Sequence, residues 1–235
     1  MARAAKNWVH GDVKENPGEV SPGAVSDLRE DIAVLYKGRK GSVDFVDVPL
    51  LLFAMVRGQG DPDGPAFAEA VQALFTISYA AHFGLKKRAG LATKVMPLEA
   101  LWWFDEPGHA DPDEPVTAGF GGLSGVDRES WRWQAMMVQP EPIDEAMLER
   151  AREESRAKEL PALDLLQFER WEEGRCAQTL HVGPYADEGA TIARLDAAVV
   201  EAGLKVRGRH HEIYLGDPRR SAPDKLRTLI RHPVV

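Results

Sequence analysis

Apolar positions along the chain switch repeatedly between a period of two and a period near 3.6, and these switches predict the elements. "VPLLLFAMVRGQGD" reads as a buried strand from about Pro49, ended by Gly58 and Gly60. Asp63 and Pro65 then supply a cap and a first-turn proline for a helix to about His82. Phe67, Val71, Leu74, Phe75 and Ser78 form its stripe. "KVMPLEALWWFD" and "WRWQAMMVQP" follow as strands, separated by an acidic, Pro- and Gly-rich loop from Glu106 to Ser130. Ile143, Met147 and Ala151 mark a surface helix ending near Lys158. The pattern then recurs. "GRCAQTLHVGPY" is a strand, Asp187 to Ala202 a helix, and "KVRGRHHEIYLGD" and "LRTLIRHPVV" the last two strands.

Strand-helix-strand-strand therefore occurs twice, over about 43–140 and 165–235, after an N-terminal segment, residues 1–26, rich in Gly, Pro and charge, that is expected to be a flexible tail too short for a helix-turn-helix domain. This predicts an α+β fold. Two duplicated modules join into one curved antiparallel sheet, with helices on the back and a concave ligand pocket between the halves. Laying the second strands over each other sets Glu99 opposite Glu212. Alternation puts His210, Glu212 and Tyr214 on one side of their strand, and Glu99, Leu101 and Trp103 on one side of theirs. A pseudo-twofold would then point Glu212, Tyr214, Glu99 and Trp103 into a single cavity. The Glu106–Ser130 loop is expected to lie over that cavity as a lid.

A carboxylate inside a strand is costly to bury and calls for a reason. Among aromatic rings it pairs with a buried cation, or its proton affinity rises until it serves as a general acid or base. The bland alternative is a structural ion pair with Arg219 or Arg220. The chain has six tryptophans, and four of them, Trp102, Trp103, Trp131 and Trp133, fall on two strands. Neighbours in a strand alternate, so core packing cannot use every ring, and one aromatic face is left to meet a ligand. Tyr185, in "HVGPYAD", rims the pocket or closes a turn; Tyr79 ends the first helix, in the core or in the pocket; Met137 shares the Trp133 face.

Net charge of -8 argues against nucleic acid as a partner. No run approaches a membrane span, and the N-terminus has no apolar signal region, so no membrane is expected. One cysteine, Cys176, excludes an intramolecular disulfide framework, points to a cytoplasmic setting, and reads as a packed thiol. His181, His210, His211 and Glu212 match no metal-ligand spacing, so no metal and no cofactor are expected. A monomer or a homodimer fits equally.

"VDVPLLLFAMVRGQGDP", "KVMPLEALWW", "WRWQAMMVQP", "CAQTLHVGPYADEGATI" and "HHEIYLGDPRRSAPDKLRTLIRHPV" together resemble the GyrI-like small-molecule-binding family, in order and over nearly the whole chain from about Asp27. The resemblance implies the duplicated fold above. It is nearest to stand-alone members similar to enzymes that hydrolyse cyclopropanoid genotoxins of duocarmycin and yatakemycin type. By that likeness Glu212 is the general base, Tyr214, Tyr79 or Tyr185 assists, and Trp102, Trp103, Trp131, Trp133, Tyr185, His210, Glu99 and Met137 bind a planar substrate. Relatives of the ligand-binding domain of BmrR-type regulators imply a second function, non-catalytic binding of lipophilic aromatic cations on the same glutamate. Gyrase-inhibiting members imply a third, a protein-binding surface, but they are shorter and lack the "LEALWW" and "WRWQ" features.

Overall fold

The computed structural model describes residues 32–104 and 127–235. The expected tail and most of the expected lid lie outside the described residues. Strand β1 spans Val43–Gln59, helix α1 Pro65–Ala89, β2 Leu98–Trp103, β3 Arg132–Val138, α2 Glu145–Ser155, β4 Gln167–Val182, α3 Gly189–Glu201, β5 His210–Tyr214 and β6 Arg227–Pro233. The strand-helix-strand-strand order thus runs twice along the chain.

Helix α1 runs seven residues past the expected His82. Gly84 costs a helix only about 1 kcal/mol and does not stop it. The stop is Gly90, at φ 69, whose N–H caps the Lys86 carbonyl.

The six strands pair antiparallel in the order β1-β3-β2-β5-β6-β4, and the last pairs with the first, so the sheet is a closed barrel and not an open curved surface. Closure follows from the length of β1 and β4, at 17 and 16 residues. The C-terminal part of β1, from Phe53, pairs with β3, while residues from Val43 to Met55 pair with β4. The alternating "VDFVDV" before Pro49 supplies this second pairing.

The outer face of β1, β2 and β3 carries Leu52, Ala54, Val56, Ala100, Trp102, Trp133, Ala135 and Met137. It packs on Ala70, Ala73, Leu74, Ile77 and Ala81 of α1 and on Leu148 and Ala151 of α2. Leu195 and Val199 of α3 pack on Ala177 and Ile230 on the other side of the barrel. At the β1–β3 seam Gly58 sits opposite Trp133. A Cβ there would come within 2.3 Å of the indole, so only glycine admits the ring.

The interior is full, as expected of so small a barrel. Phe53, Met55, Leu101 and Met136 fill one part, and Leu180, Ile213 and Leu229 another. Between them lies a buried polar chain. Tyr36 donates to Glu99 at 2.6 Å, His211 bridges Glu99 at 3.0 Å and Glu173 at 2.9 Å, and Arg231 reaches Glu173 at 3.4 Å. Arg231 also donates to Gln178 and to the Leu35 carbonyl. Two carboxylates face two cations, so the interior charge is balanced. The concave pocket expected on this side of the sheet is therefore absent among the described residues. What opens there is a cleft of about 180 Å³ at one mouth, lined by residues that include Arg57, Trp171 and Arg209.

Candidate functional site

Cross-strand register decides which side chains share a face. Ala100 of β2 lies beside Glu212 of β5, which lies beside Ile230 of β6. Ala100 is packed under α1 and Ile230 under α3, so Glu212 emerges on the outer face of the barrel in the seam between the two helices. His210 stands next to Trp102 on the same face, and Tyr214 beside Leu98 and Thr228. Glu99 pairs with Ile213 and therefore points inward, as does Trp103, whose ring is covered by the Arg209 guanidinium at 3.8 Å. The expected meeting of Glu212, Tyr214, Glu99 and Trp103 in one cavity does not occur. The overlay of the second strands was one residue out of step, and such a slip exchanges the two faces of a strand.

Around Glu212 the structure gathers six groups. His210 Nε2 lies 3.0 Å from Glu212 Oε1. The Trp102 indole donates to the Tyr214 hydroxyl at 3.0 Å, and the Tyr185 ring meets Tyr214 edge-on at 5.8 Å. The Trp131 ring stands against Trp102 at 5.9 Å. Glu188, at the start of α3, enters from the opposite side and is 5% exposed. One ligand atom from each of Glu188, His210 and Glu212 falls within 4.8 Å of the others.

The two carboxyls are driven apart in proton affinity. Burial, then the charge of Glu212, pushes Glu188 up to about 9. Burial acts on Glu212 in the same sense, but hydrogen bonds from His210, Tyr214 and Glu188 outweigh it and hold Glu212 below the usual carboxylate range. At neutral pH the pair is a protonated Glu188 beside an ionised Glu212, an acid and a base side by side. Burial and the neighbouring Glu212 charge raise the Tyr185 hydroxyl to about 12, so it stays a donor.

The Glu–His–Glu set has the donor types of a cation site. Two of those donors, His210 Nε2 and Glu212 Oε1, are already paired with each other at 3.0 Å. The residues fit acid–base chemistry better than metal binding. Polar atoms near the site are buried without a hydrogen-bond partner among the described residues, including Glu188 Oε1, Trp131 Nε1 and, beside Tyr214, Thr228 Oγ1. Orphaned groups of this kind are rare in protein interiors and mark a place for a ligand's own donors and acceptors.

The remaining expected residues fall elsewhere. Tyr79 is 48% exposed on α1, stacked between Phe75 and Phe83. Met137 is fully buried beside Ser78 of α1. Trp133 stands behind the site, with Phe67 between it and Trp102. Arg219 is taken by Asp217 at 3.0 Å, so it is not the structural partner of Glu212. Cys176 is buried, and burial pushes its thiol up, as a packed cysteine requires. Three residues of the site were not foreseen: Glu188, and behind His210 the pair His232 and Asp196. Only an acidic residue at a helix start, in "YADEGATI", could have signalled Glu188.

A closed antiparallel barrel with three flanking helices, and a carboxyl pair among aromatic rings on its outer face, is the setting of a small-molecule-binding domain. The GyrI-like small molecule binding domain matches residues 42–235, and the chain belongs to that family. An uncharacterised conserved protein from Listeria innocua is 33% identical, with a TM-score of 0.74 over 88% of this chain and 98% of its own. A hydrolase from Listeria innocua is 31% identical, with a TM-score of 0.71 over the same shares. No curated protein matches the sequence. No helix among the described residues is long and apolar enough to cross a membrane.

Proposed function

We propose that the protein is a cofactor-independent hydrolase that opens the cyclopropane ring of planar aromatic genotoxins of duocarmycin and yatakemycin type, acting in the cytoplasm as a detoxifying enzyme. The observation that carries this reading is Glu212 beside Glu188 under Trp102, Trp131 and Tyr185, where burial and the Glu212 charge push Glu188 up and hydrogen bonds hold Glu212 low. Glu212 takes a proton from water. The water oxygen forms a bond to a cyclopropane carbon, a ring C–C bond breaks, and its electron pair passes into the conjugated dienone. The dienone oxygen becomes a phenolate that accepts a hydrogen bond from the Tyr185 hydroxyl, which keeps its proton; the proton taken by Glu212 passes to water, and the phenolate is protonated from water as the product leaves. The Tyr214 hydroxyl is engaged with Glu212 and Trp102. Glu188, neutral, keeps a second negative charge away from the developing phenolate. The rings stack on the flat substrate. The kinship with a hydrolase at 31% identity supports the reaction class.

Incubation with a duocarmycin-type compound, followed by mass spectrometry, tests this. A gain of one water is expected, slowed about 10²–10⁴-fold by Glu212→Gln. Wild-type turnover by Glu212→Gln would remove the assignment. A second reading, capture of lipophilic aromatic cations without chemistry, is favoured by the same ionised carboxylate among rings. It requires tight binding of a rhodamine-like dye, weakened in Glu212→Gln, with no change in the mass of any bound compound.

A further inference from the structure

The face of α1 turned away from the barrel carries a row of aromatic rings. Phe75, Tyr79 and Phe83 follow one another at every fourth residue, with centroids 6.3 and 6.1 Å apart and planes tilted by only 26° and 20°. Tyr79 is 48% and Phe83 59% exposed, and Phe75 is half-buried. The opposite face of the helix is already spent on the barrel, through Ala70, Leu74, Ile77 and Ala81. Contiguous exposed rings of this kind mark an interaction surface. We infer that this face is the contact between two copies of the chain, paired α1 against α1 and antiparallel about a twofold axis. The inference is independent of the reaction at Glu212.

Charge and spacing choose the second copy as the occupant. Glu69 stands near the start of α1 and Lys87 in its last turn. The interval between them is five turns at about 3.6 residues each, so both flank the ring row on the same edge of the helix, about 80° round from Tyr79. A twofold axis across the helix keeps that edge against the same edge of its mate and inverts the height. Placed level with Ser78, midway between the two charges, the axis sets Glu69 of each copy opposite Lys87 of the other. The same axis interleaves the rings. Along the seam they run Phe83, Phe75, Tyr79, Tyr79, Phe75, Phe83, taken alternately from the two copies at steps of about 3 Å. One position of the axis thus satisfies both the charges and the rings. A parallel mate would instead set Lys86 and Lys87 beside their own copies and align the two helix dipoles. With its 25 residues α1 is about 37 Å long, and a strip about 10 Å wide along it falls short of the roughly 800 Å² per partner of a standard interface. The dimer is therefore of the weak, concentration-dependent kind, with a Kd on the order of 10–100 µM.

Sedimentation velocity of the full chain at low salt, from about 1 µM to about 1 mM, spans this range and tests the inference. The wild type should move from monomer to dimer. Tyr79→Glu puts a charge at the centre of the seam on an exposed position, and should leave a folded monomer throughout. Glu69→Lys and Lys87→Glu each turn two attractions into two repulsions and should weaken association at least about fivefold. The exchange Glu69→Lys with Lys87→Glu restores opposite charges across the axis and should recover the wild-type affinity to within about threefold. Far-UV circular dichroism confirms that each variant is folded. A wild type that stays monomeric to about 1 mM would overturn the inference, and so would a dimer that Tyr79→Glu leaves intact or a double exchange that associates no better than either single change. A chain that stays monomeric and binds phosphatidylcholine vesicles through these rings would assign the face to a lipid surface and overturn it as well.

Discussion

The charge chain inside the barrel makes stability depend on pH through His211. The ring is fully buried, and burial works against its charge, but Glu173 and Glu99 outweigh this and raise it from 6.5 to about 9. At about 1.4 kcal/mol per pH unit, that rise corresponds to ~3 kcal/mol of folding free energy. A histidine raised on folding stabilises fully below its unfolded value of 6.5, and the contribution is lost as pH climbs through 9. Glu188 slopes the same way, since the folded state holds its proton over the range from 4.5 to about 9. The measurement is therefore best made in Glu188→Gln, which removes that second source. Urea unfolding of this variant at half-unit steps from pH 6 to 9.5 should show stability falling by about 3 kcal/mol, with constant m-value. His211→Gln in the same background should lose the slope, and should be less stable by about 3–5 kcal/mol at pH 6, because it leaves two buried carboxylates with fewer partners. A flat profile in Glu188→Gln between pH 6.5 and 9 would refute the reasoning and mean that His211 is neutral in the folded protein.

Gly58→Ala places a methyl against the Trp133 ring and should cost about 1–3 kcal/mol, read as a fall in Tm; an unchanged Tm would mean the β1–β3 seam adjusts freely. Trp102→Phe removes the indole donor to Tyr214 and should cost about 1 kcal/mol while weakening the binding of flat aromatic compounds, seen by fluorescence titration. In Glu188→Gln, which removes the opposing slope of that carboxyl, stability should fall below pH 6.5, as the buried His232, held down to about 4, resists protonation; thermal melts of this variant from pH 6.5 to 4.5 check this, and a rising Tm would contradict it. Dialysis against a strong chelator should leave water addition unchanged; activity lost and restored by zinc would reassign Glu188, His210 and Glu212 as ligands.

Much of the fold was legible because patterning and burial agree. The strand cores, three helices and the repeated order follow from apolar spacing alone, and Glu212 was singled out as a carboxylate in a core strand. What the pattern does not carry is register. Glu99 and Glu212 both read as buried glutamates, yet one is locked between Tyr36 and His211 inside the barrel and the other faces the helices. A difference of one residue in alignment separates these outcomes. Glu188, His232 and Asp196 were missed because their places near the site arise from distant pairing, 188 with 212, 210 with 232, and a helix laid over both. Tyr79 was misjudged because an aromatic near a helix end has no signature telling exposed from buried.

The closed ring also limits how the molecule can move. Hinge opening between the halves would have to break two seams at once, twelve paired residues between β1 and β4 and five between β2 and β5. A rigid drum of this kind cannot gape to admit a bulky guest. Traffic to Glu212 must pass over the outer wall, past Tyr185 and Trp131, so the rate of entry and release is set by side chains at the rim and not by breathing of the sheet.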